Sequence, residues 1–165
     1  MTRRELRHAL LVLGYALVFY GALPALLVWV GRAIDRAAGW SAAPAPWALA
    51  LLLPAALLHA TALGTLWWKG GGAPITAEPP PRFTGGGLYR VVRHPIYFTY
   101  NLLIPPAGLL LASPGLALPV ALCFAPCWML YAHVEERFLL RRFGETYAAY
   151  QRQVGMLPGL RRRTG

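Results

Sequence analysis

Two short runs hold most of the chemistry this chain could do. The first is Gly87-Leu88-Tyr89-Arg90-Val91-Val92-Arg93-His94-Pro95-Ile96-Tyr97, which places two guanidinium groups, an imidazole and two phenols within eleven residues. The second is Glu135-Glu136, followed at helical spacing by Phe143-Gly144, Tyr147 and Tyr150. Arginine offers a planar fork of donors suited to a carboxylate, and glutamate accepts from ammonium and hydroxyl groups. Histidine can take up or give a proton near neutral pH. Two adjacent glutamates at a helix end usually mark nothing more than a solvated face. They gain meaning only if the fold carries them to the Arg-His-Pro run.

The elements that must do this are apolar. Hydrophobic residues make up 57% of the chain and charged ones 13%, against roughly 45–50% and about 25% in an ordinary soluble domain. Residues 9–30 form a stretch of 22 without a charge, and residues 47–68 form another of 22 containing only His59. Residues 95–112 and 115–132 add two stretches of 18. Because a helix rises about 1.5 Å per residue, ~20 such residues cross a hydrocarbon core of ~30 Å. We therefore expect an all-α, polytopic membrane protein forming a single domain over residues 1–165. Residues 1–68 hold two N-terminal membrane helices; residues 69–160 hold a core with a loop, a helix hairpin and a C-terminal segment. The first apolar run exceeds the core of a secretory signal, so we expect it to be retained as a membrane helix.

Charge sets the expected orientation. With four spans, fourteen Lys and Arg residues fall on one side and only Arg32 and Arg36 on the other. The positive-inside rule then places both termini and the central loop in the cytoplasm, in a bacterial inner membrane. The net charge of +10 reads as an orientation and headgroup signal, with the terminal Arg161-Arg162-Arg163 as an anchor. The bilayer is thus the expected partner. The basic residues are scattered among helix ends without a recognisable nucleic-acid motif, which argues against nucleic acid. Nothing in the chain specifies an oligomeric state.

Local signals place the two runs at one level. Pro95 suits the first turn of the third helix, where its missing donor is not needed. The fourth helical pattern runs from Gly115 to a stop at Gly144. That is about 43 Å, so its last turns should leave the bilayer and carry Glu135 and Glu136 to the interface. Ser113-Pro114-Gly115 makes a tight, uncharged hairpin between the third and fourth segments. The start of the third therefore meets the end of the fourth, and Arg93, His94 and Tyr97 should face the paired acids. Prolines within the segments suggest kinked third and fourth helices, with the sharpest bend at Pro105-Pro106. Between the second and third segments, residues 69–87 form a Gly- and Pro-rich loop, the kind of long connection that is often functional.

On these residues the chain resembles the isoprenylcysteine carboxyl methyltransferases and the related phospholipid methyltransferases. The similarity rests on Gly87-Leu88-Tyr89-Arg90-x-x-Arg93-His94-Pro95-Ile96-Tyr97. It continues in Glu135-Glu136-x-x-Leu139-x-x-x-Phe143-Gly144-x-x-Tyr147-x-x-Tyr150 with Leu157-Pro158, and the Gly70-Gly71-Gly72-Ala73-Pro74 stretch is similar to a loop in many bacterial members. The resemblance covers residues 69–160. It implies S-adenosylmethionine in a cytoplasmic-side pocket and a lipophilic methyl acceptor arriving from the bilayer. That acceptor could be an isoprenylcysteine-type carboxylate, a phospholipid amine or a small hydrophobic thiol. Under this reading Gly87, Tyr89, Arg90, Arg93, His94, Tyr97, Glu135, Glu136, Tyr147 and Tyr150 surround the cofactor. Glu135 and Glu136 take its amino end and hydroxyls; Arg90, Arg93 or His94 takes its carboxylate, and the tyrosine faces favour the sulfonium. His94, Glu135 and Arg93 are the candidate catalytic residues, with His94 the first candidate base and Glu135 the second.

Two other classes fit parts of the chain. NADPH-dependent membrane reductases of the steroid or sterol kind carry a similar Arg-x-Pro-x-Tyr block. They typically have Asn before that Tyr and a Glu soon after, where this chain has Ile96 and no acid through Ala112. A non-enzymatic scaffold or transporter subunit is the third reading, although the charges gather at one membrane edge rather than along a path across it. Among the remaining residues, Cys123 and Cys127 read as small apolar packers rather than metal ligands, His59 as a partly satisfied membrane histidine, and Asn101 as a packing residue. His133 is expected to support the glutamates or lipid headgroups.

Overall fold

A computed structural model describes residues 3–71 and 81–159, and every regular element in it is helical. Helix α1 (Arg3–Leu17) passes through a π-helical turn (Val18–Ala22) into α2 (Leu23–Ala38), making one continuous rod. A short turn at Pro46–Ala48 leads into α3 (Leu49–Thr65), which ends in a second π-helical turn, Leu66–Gly70. Helix α4 covers Pro95–Leu110; a third π-helical turn (Leu116–Val120) opens α5 (Ala121–Phe143), and α6 (Glu145–Gln153) follows. Three of these helical runs are long and apolar enough to cross a membrane: Ala9–Ala38, Pro46–Gly70 and Leu116–Phe143. Helix α4 differs from the third span expected from sequence over residues 95–112. Its 16 residues rise only about 24 Å, short of a full hydrocarbon core.

The surface matches an apolar solvent. Leu51, Leu53, Leu57, Leu122 and Leu130 point outward, while Trp47 stands at one end of the second span and Trp67 and Trp68 at the other. Tryptophans in that arrangement are what the two interfaces of a bilayer select. Cys123 and Cys127 also lie on this exposed face instead of packing inside.

Local chemistry explains the helix ends. Pro95 occupies the first turn of α4, and Gly144, with φ +52°, closes α5. Helix α4 runs through Pro105 and Pro106 without a break, and the irregular turns lie at other positions. At the first of these, the Leu23 N–H donates to the Val18 carbonyl, five residues back. In that register the next donor would be Pro24, which has none. The Tyr100 hydroxyl supplies it instead, donating to the Phe19 carbonyl at 2.7 Å. A side chain from another helix thus satisfies the backbone group that proline leaves open, as a membrane interior requires.

Helix α4 lies inside, against α3 on one side and the Leu116–Val120 turn on another. Small residues permit close packing on the Leu116–Val120 turn: a Cβ on Gly31 of α2 would stand 2.6 Å from Leu116 Cβ, and one on Gly108 of α4 would strike the Ala117 backbone. The hairpin after α4 is fastened by a buried acid. Asp35 accepts from the Ser113 hydroxyl at 2.5 Å and from the Gly115 N–H at 2.7 Å. Arg32 donates to the Ala112 carbonyl at 3.1 Å and to the Leu111 carbonyl. The charges of Arg32 and Asp35 therefore hold the α4–α5 connection at the end opposite the Arg-His-Pro run. The terminal Arg161-Arg162-Arg163 and most of the Gly/Pro-rich loop, including Gly72 to Pro80, lie outside the described residues. Replacing Asp35 with alanine leaves two buried donors without a partner. We expect a loss of about 1–3 kcal/mol in unfolding experiments in mixed micelles; a change under a few tenths would remove Asp35 from this role.

Candidate active site

The Arg-His-Pro run and the twin acids do meet. Arg93 Nε lies 2.9 Å from Glu136 Oε1. Its N–H is not aligned on that oxygen, since Nε has no hydrogen bond by geometry; the contact is an ion pair by proximity. The backbone directs the rest of this side chain, with Nη1 donating to the Gln151 carbonyl at 3.2 Å. His94 Nε2 is 3.1 Å from the same Glu136 oxygen, and Nδ1 is 3.5 Å from Glu135 Oε2. The Gln151 amide donates to the second oxygen of Glu136 at 3.0 Å.

The two acids are not equivalent. Glu136 has 9% of its side chain exposed and both oxygens engaged by Arg93, His94 and Gln151. Glu135 has 36% exposed and accepts a hydrogen bond from the Tyr97 hydroxyl at 3.0 Å. Glu136 thus serves the protein's own cations, while Glu135 is open to an outside partner.

Three elements hold this knot. His94 caps α4, so Arg93 and His94 leave the chain just before the first turn. The Arg93 N–H donates to the Gly155 carbonyl at 3.0 Å, which pins the corner under the segment that follows α6. Tyr150 donates to the Tyr89 carbonyl at 2.6 Å and packs with Tyr89, Tyr147 and Val154 in one buried cluster. Phe83 stands edge-on to Tyr147 and Tyr150. On the other side the Tyr97 ring stacks on His94 at 5.8 Å and meets Tyr131 edge-on at 5.7 Å, with Trp128 beside it.

Among the sequence-predicted residues, the structure therefore gathers Arg93, His94, Tyr97, Glu135 and Glu136, with Tyr89, Tyr147 and Tyr150 as an adjoining aromatic wall. Gly87 and Arg90 lie on the exposed side of the turn that precedes them. His133 bonds back to the Met129 carbonyl of its own helix. Sequence reasoning missed Gln151, Tyr131, Trp128 and Phe83. Gln151 was findable, since it stands one turn beyond Tyr147 on the same helix.

Besides Arg93 Nε, which still sits beside the Glu136 carboxylate, two buried polar atoms at this site have no hydrogen-bond partner among the described residues: the Tyr147 hydroxyl and Trp128 Nε1. Their residues are 2% and 5% exposed, and an unpaired buried donor is costly unless something else completes it. Burial, together with the nearby acids, raises the pKa of Tyr147, so this phenol keeps its hydrogen as a donor.

Burial alone would drive the proton off His94, but the hydrogen bonds and charges of Glu135 and Glu136 outweigh it and raise its pKa above that of an ordinary histidine. The histidine stands between two acids that favour its protonated form. A pKa raised by folding contributes stability that is complete below the unfolded value, about 6.5, and fades as pH rises through the folded value. Wild-type protein should therefore lose stability as pH rises above about 6.5 in micelle unfolding, and His94→Gln should remove most of that slope. An identical slope in the variant would refute the assignment.

No family model matches the chain. It is similar to proteins named methanethiol S-methyltransferase. One from Pseudomonas sp. (strain GM41(2012)) is 33% identical over 87 residues, covering 51% of this chain and 31% of that protein. Methanethiol S-methyltransferase 1 of Bradyrhizobium diazoefficiens is 37% identical over 87 residues, covering 50% and 28%. The Pseudomonas deceptionensis protein of the same name is 37% identical over 82 residues, covering 47% and 29%. The chain thus spans under a third of the length of the curated relatives it matches, and what these proteins share with it is roughly half of its sequence.

Proposed function

We propose that this chain transfers a methyl group from S-adenosylmethionine to a small hydrophobic thiol at the cytoplasmic edge of the membrane. The observation that carries the reading is the contact of Arg93 and His94 with Glu135 and Glu136, flanked by orphaned buried donors. The residues fit the cofactor. It bears an ammonium, a carboxylate, hydroxyls and a sulfonium; the site offers a half-open carboxylate, a guanidinium, two donors without partners and several aromatic faces. Glu135 takes the amino group, and Arg93, oriented by Glu136 and Gln151, faces the carboxylate. The Tyr147 hydroxyl and Trp128 Nε1 complete hydrogen bonds to polar groups of the ligand. Rings of Tyr97 and Tyr131 stand where a sulfonium gains from a π-face.

Bound there, the cofactor would supply an electrophilic methyl group to a thiolate in line with it, the new S–C bond forming as the bond to the sulfonium breaks, with a thioether and S-adenosylhomocysteine as products. The chain's own part is to position, exclude water and neutralise charge. The thiol must lose its proton to become the attacking thiolate, and Glu135 and His94 are the groups at the site that could take it. Helix α4 serves as a short span packed among the three long ones, with Tyr97 at its cytoplasmic end, where an apolar acceptor would arrive from the bilayer. The thiol is favoured over an isoprenylcysteine carboxylate or a phospholipid amine by the names of the similar proteins.

Purified protein in micelles should bind S-adenosylhomocysteine and transfer labelled methyl from S-adenosylmethionine to short alkanethiols, with the product identified by mass. Glu135→Gln should weaken cofactor binding by about tenfold to a hundredfold, the weight of one charge-assisted hydrogen bond. Binding of NADPH in place of S-adenosylhomocysteine, or methyl transfer untouched by Glu135→Gln, would overturn the reading.

A further inference from the structure

His59 has no part in the chemistry above, yet it is wired to the corner that does. It lies in the middle of α3, 5% exposed, within the second membrane span. Its Nε2 is 2.7 Å from the Tyr20 hydroxyl, and its Nδ1 is 2.9 Å from Thr99 Oγ1. Thr99 in turn donates to the Pro95 carbonyl at 2.6 Å. Thr99 Oγ1 also lies 3.2 Å from the Ile96 carbonyl; carbonyls can only accept, so the single hydrogen of Thr99 goes to the backbone, chiefly to the closer Pro95, and Thr99 Oγ1 accepts from His59. His59 therefore carries its hydrogen on Nδ1, and the bare Nε2 accepts from Tyr20. One directed chain results: Tyr20 to His59, His59 to Thr99, Thr99 to Pro95.

This chain joins three segments far apart in sequence. Tyr20 belongs to the π-helical turn between α1 and α2, His59 to α3, and Thr99 and Pro95 to the first turns of α4. A second strut runs alongside it from Tyr100 to the Phe19 carbonyl. Pro95 follows His94 directly, and Tyr97 lies two residues further on. Thr99 and Tyr97 leave α4 on nearly opposite faces, because two residues turn a helix by about 200°. The network thus grips the back of the turn whose front carries His94 and Tyr97. In a hydrocarbon interior a buried ionisable residue is costly and calls for a role.

We propose that His59 is a positioning residue: through Thr99 it fixes the first turn of α4, and thereby the placement of His94 and Tyr97 against Glu135 and Glu136. The consequence for turnover rests on the methyl-transfer reading, while the geometry does not, so the primary readout is His94 itself. The groups that face it are Glu135 and Glu136 from α5 and Arg93 and Tyr97 from its own run, with Tyr147 and Tyr150 of α6 beyond the Arg93–Glu136 pair.

The test is nitrogen NMR of histidine-labelled protein in micelles, with the His94 signals identified by their loss in His94→Gln. In His59→Phe the corner loosens from its acids, and the His94 titration midpoint should fall by about half a pH unit or more. Thr99→Val should give the same shift, the double variant no more than either single one, and His59→Gln, which retains one donor and one acceptor, should restore most of the wild-type value. With methyl transfer established in the wild type, His59→Phe should also reduce turnover by about tenfold, as small misplacements do. Should His59→Phe fail to fold, Thr99→Val and Tyr20→Phe carry the same prediction. An unmoved His94 titration, or shifts from His59→Phe and Thr99→Val that add, would overturn the proposal. Absence of methyl transfer in the wild type alongside the expected NMR shifts would count against the enzymatic reading and leave the positioning role standing.

Discussion

A buried charge without its counter-charge is among the most expensive things a fold can contain, and at this membrane edge the requirement is met by one small knot. Arg93 and His94 converge on a single oxygen of Glu136, and Gln151 occupies the other. Removing one partner from such a pair costs several kcal/mol because the remaining charge is stranded. The knot draws on the start of α4, the end of α5 and the face of α6, so those three elements must be placed together before it can form. Once formed, it leaves Glu135, Tyr147 and Trp128 with capacity to spare.

The rest of the molecule can be understood as the support for that meeting. The hairpin at Ser113-Pro114-Gly115 makes α4 and α5 antiparallel, so the head of one reaches the tail of the other. At the far end Asp35 and Arg32 secure the hairpin from α2. In the middle, Tyr20, His59, Thr99 and Tyr100 tie α4 to its neighbours with hydrogen bonds that the surrounding lipid cannot supply. Proline has an unexpected part here: Pro24 opens a carbonyl at Phe19, and Tyr100 takes it up.

Much of the fold could be read from the chain because it is recorded in local chemistry. Charge-free runs of the right length marked the helices, Pro95 marked the start of α4 and Gly144 the end of α5. The encounter of Arg93 and His94 with the twin acids followed from a short hairpin and helix length alone. What escaped depended on rotation about helix axes. Helices α3 and α4 are apolar nearly all round, so hydropathy does not say which way His59 or Thr99 points. Asp35 finds Ser113 across 78 residues, a pairing no local pattern records. The third span was expected from an 18-residue apolar stretch, yet its helix closes after 16, because Leu111 and Ala112 turn back to make the hairpin. The unequal roles of Glu135 and Glu136 were likewise invisible, since adjacent residues on a helix point 100° apart and only packing decides which is enclosed.

The proposal that S-adenosylmethionine binds beside this knot is tested most directly by photolabelling with the radioactive cofactor followed by peptide mapping. The account predicts label on peptides spanning residues 89–97, 128–136 or 147–151, abolished by excess S-adenosylhomocysteine. Label confined to residues 3–68, or label that the competitor does not displace, would contradict it.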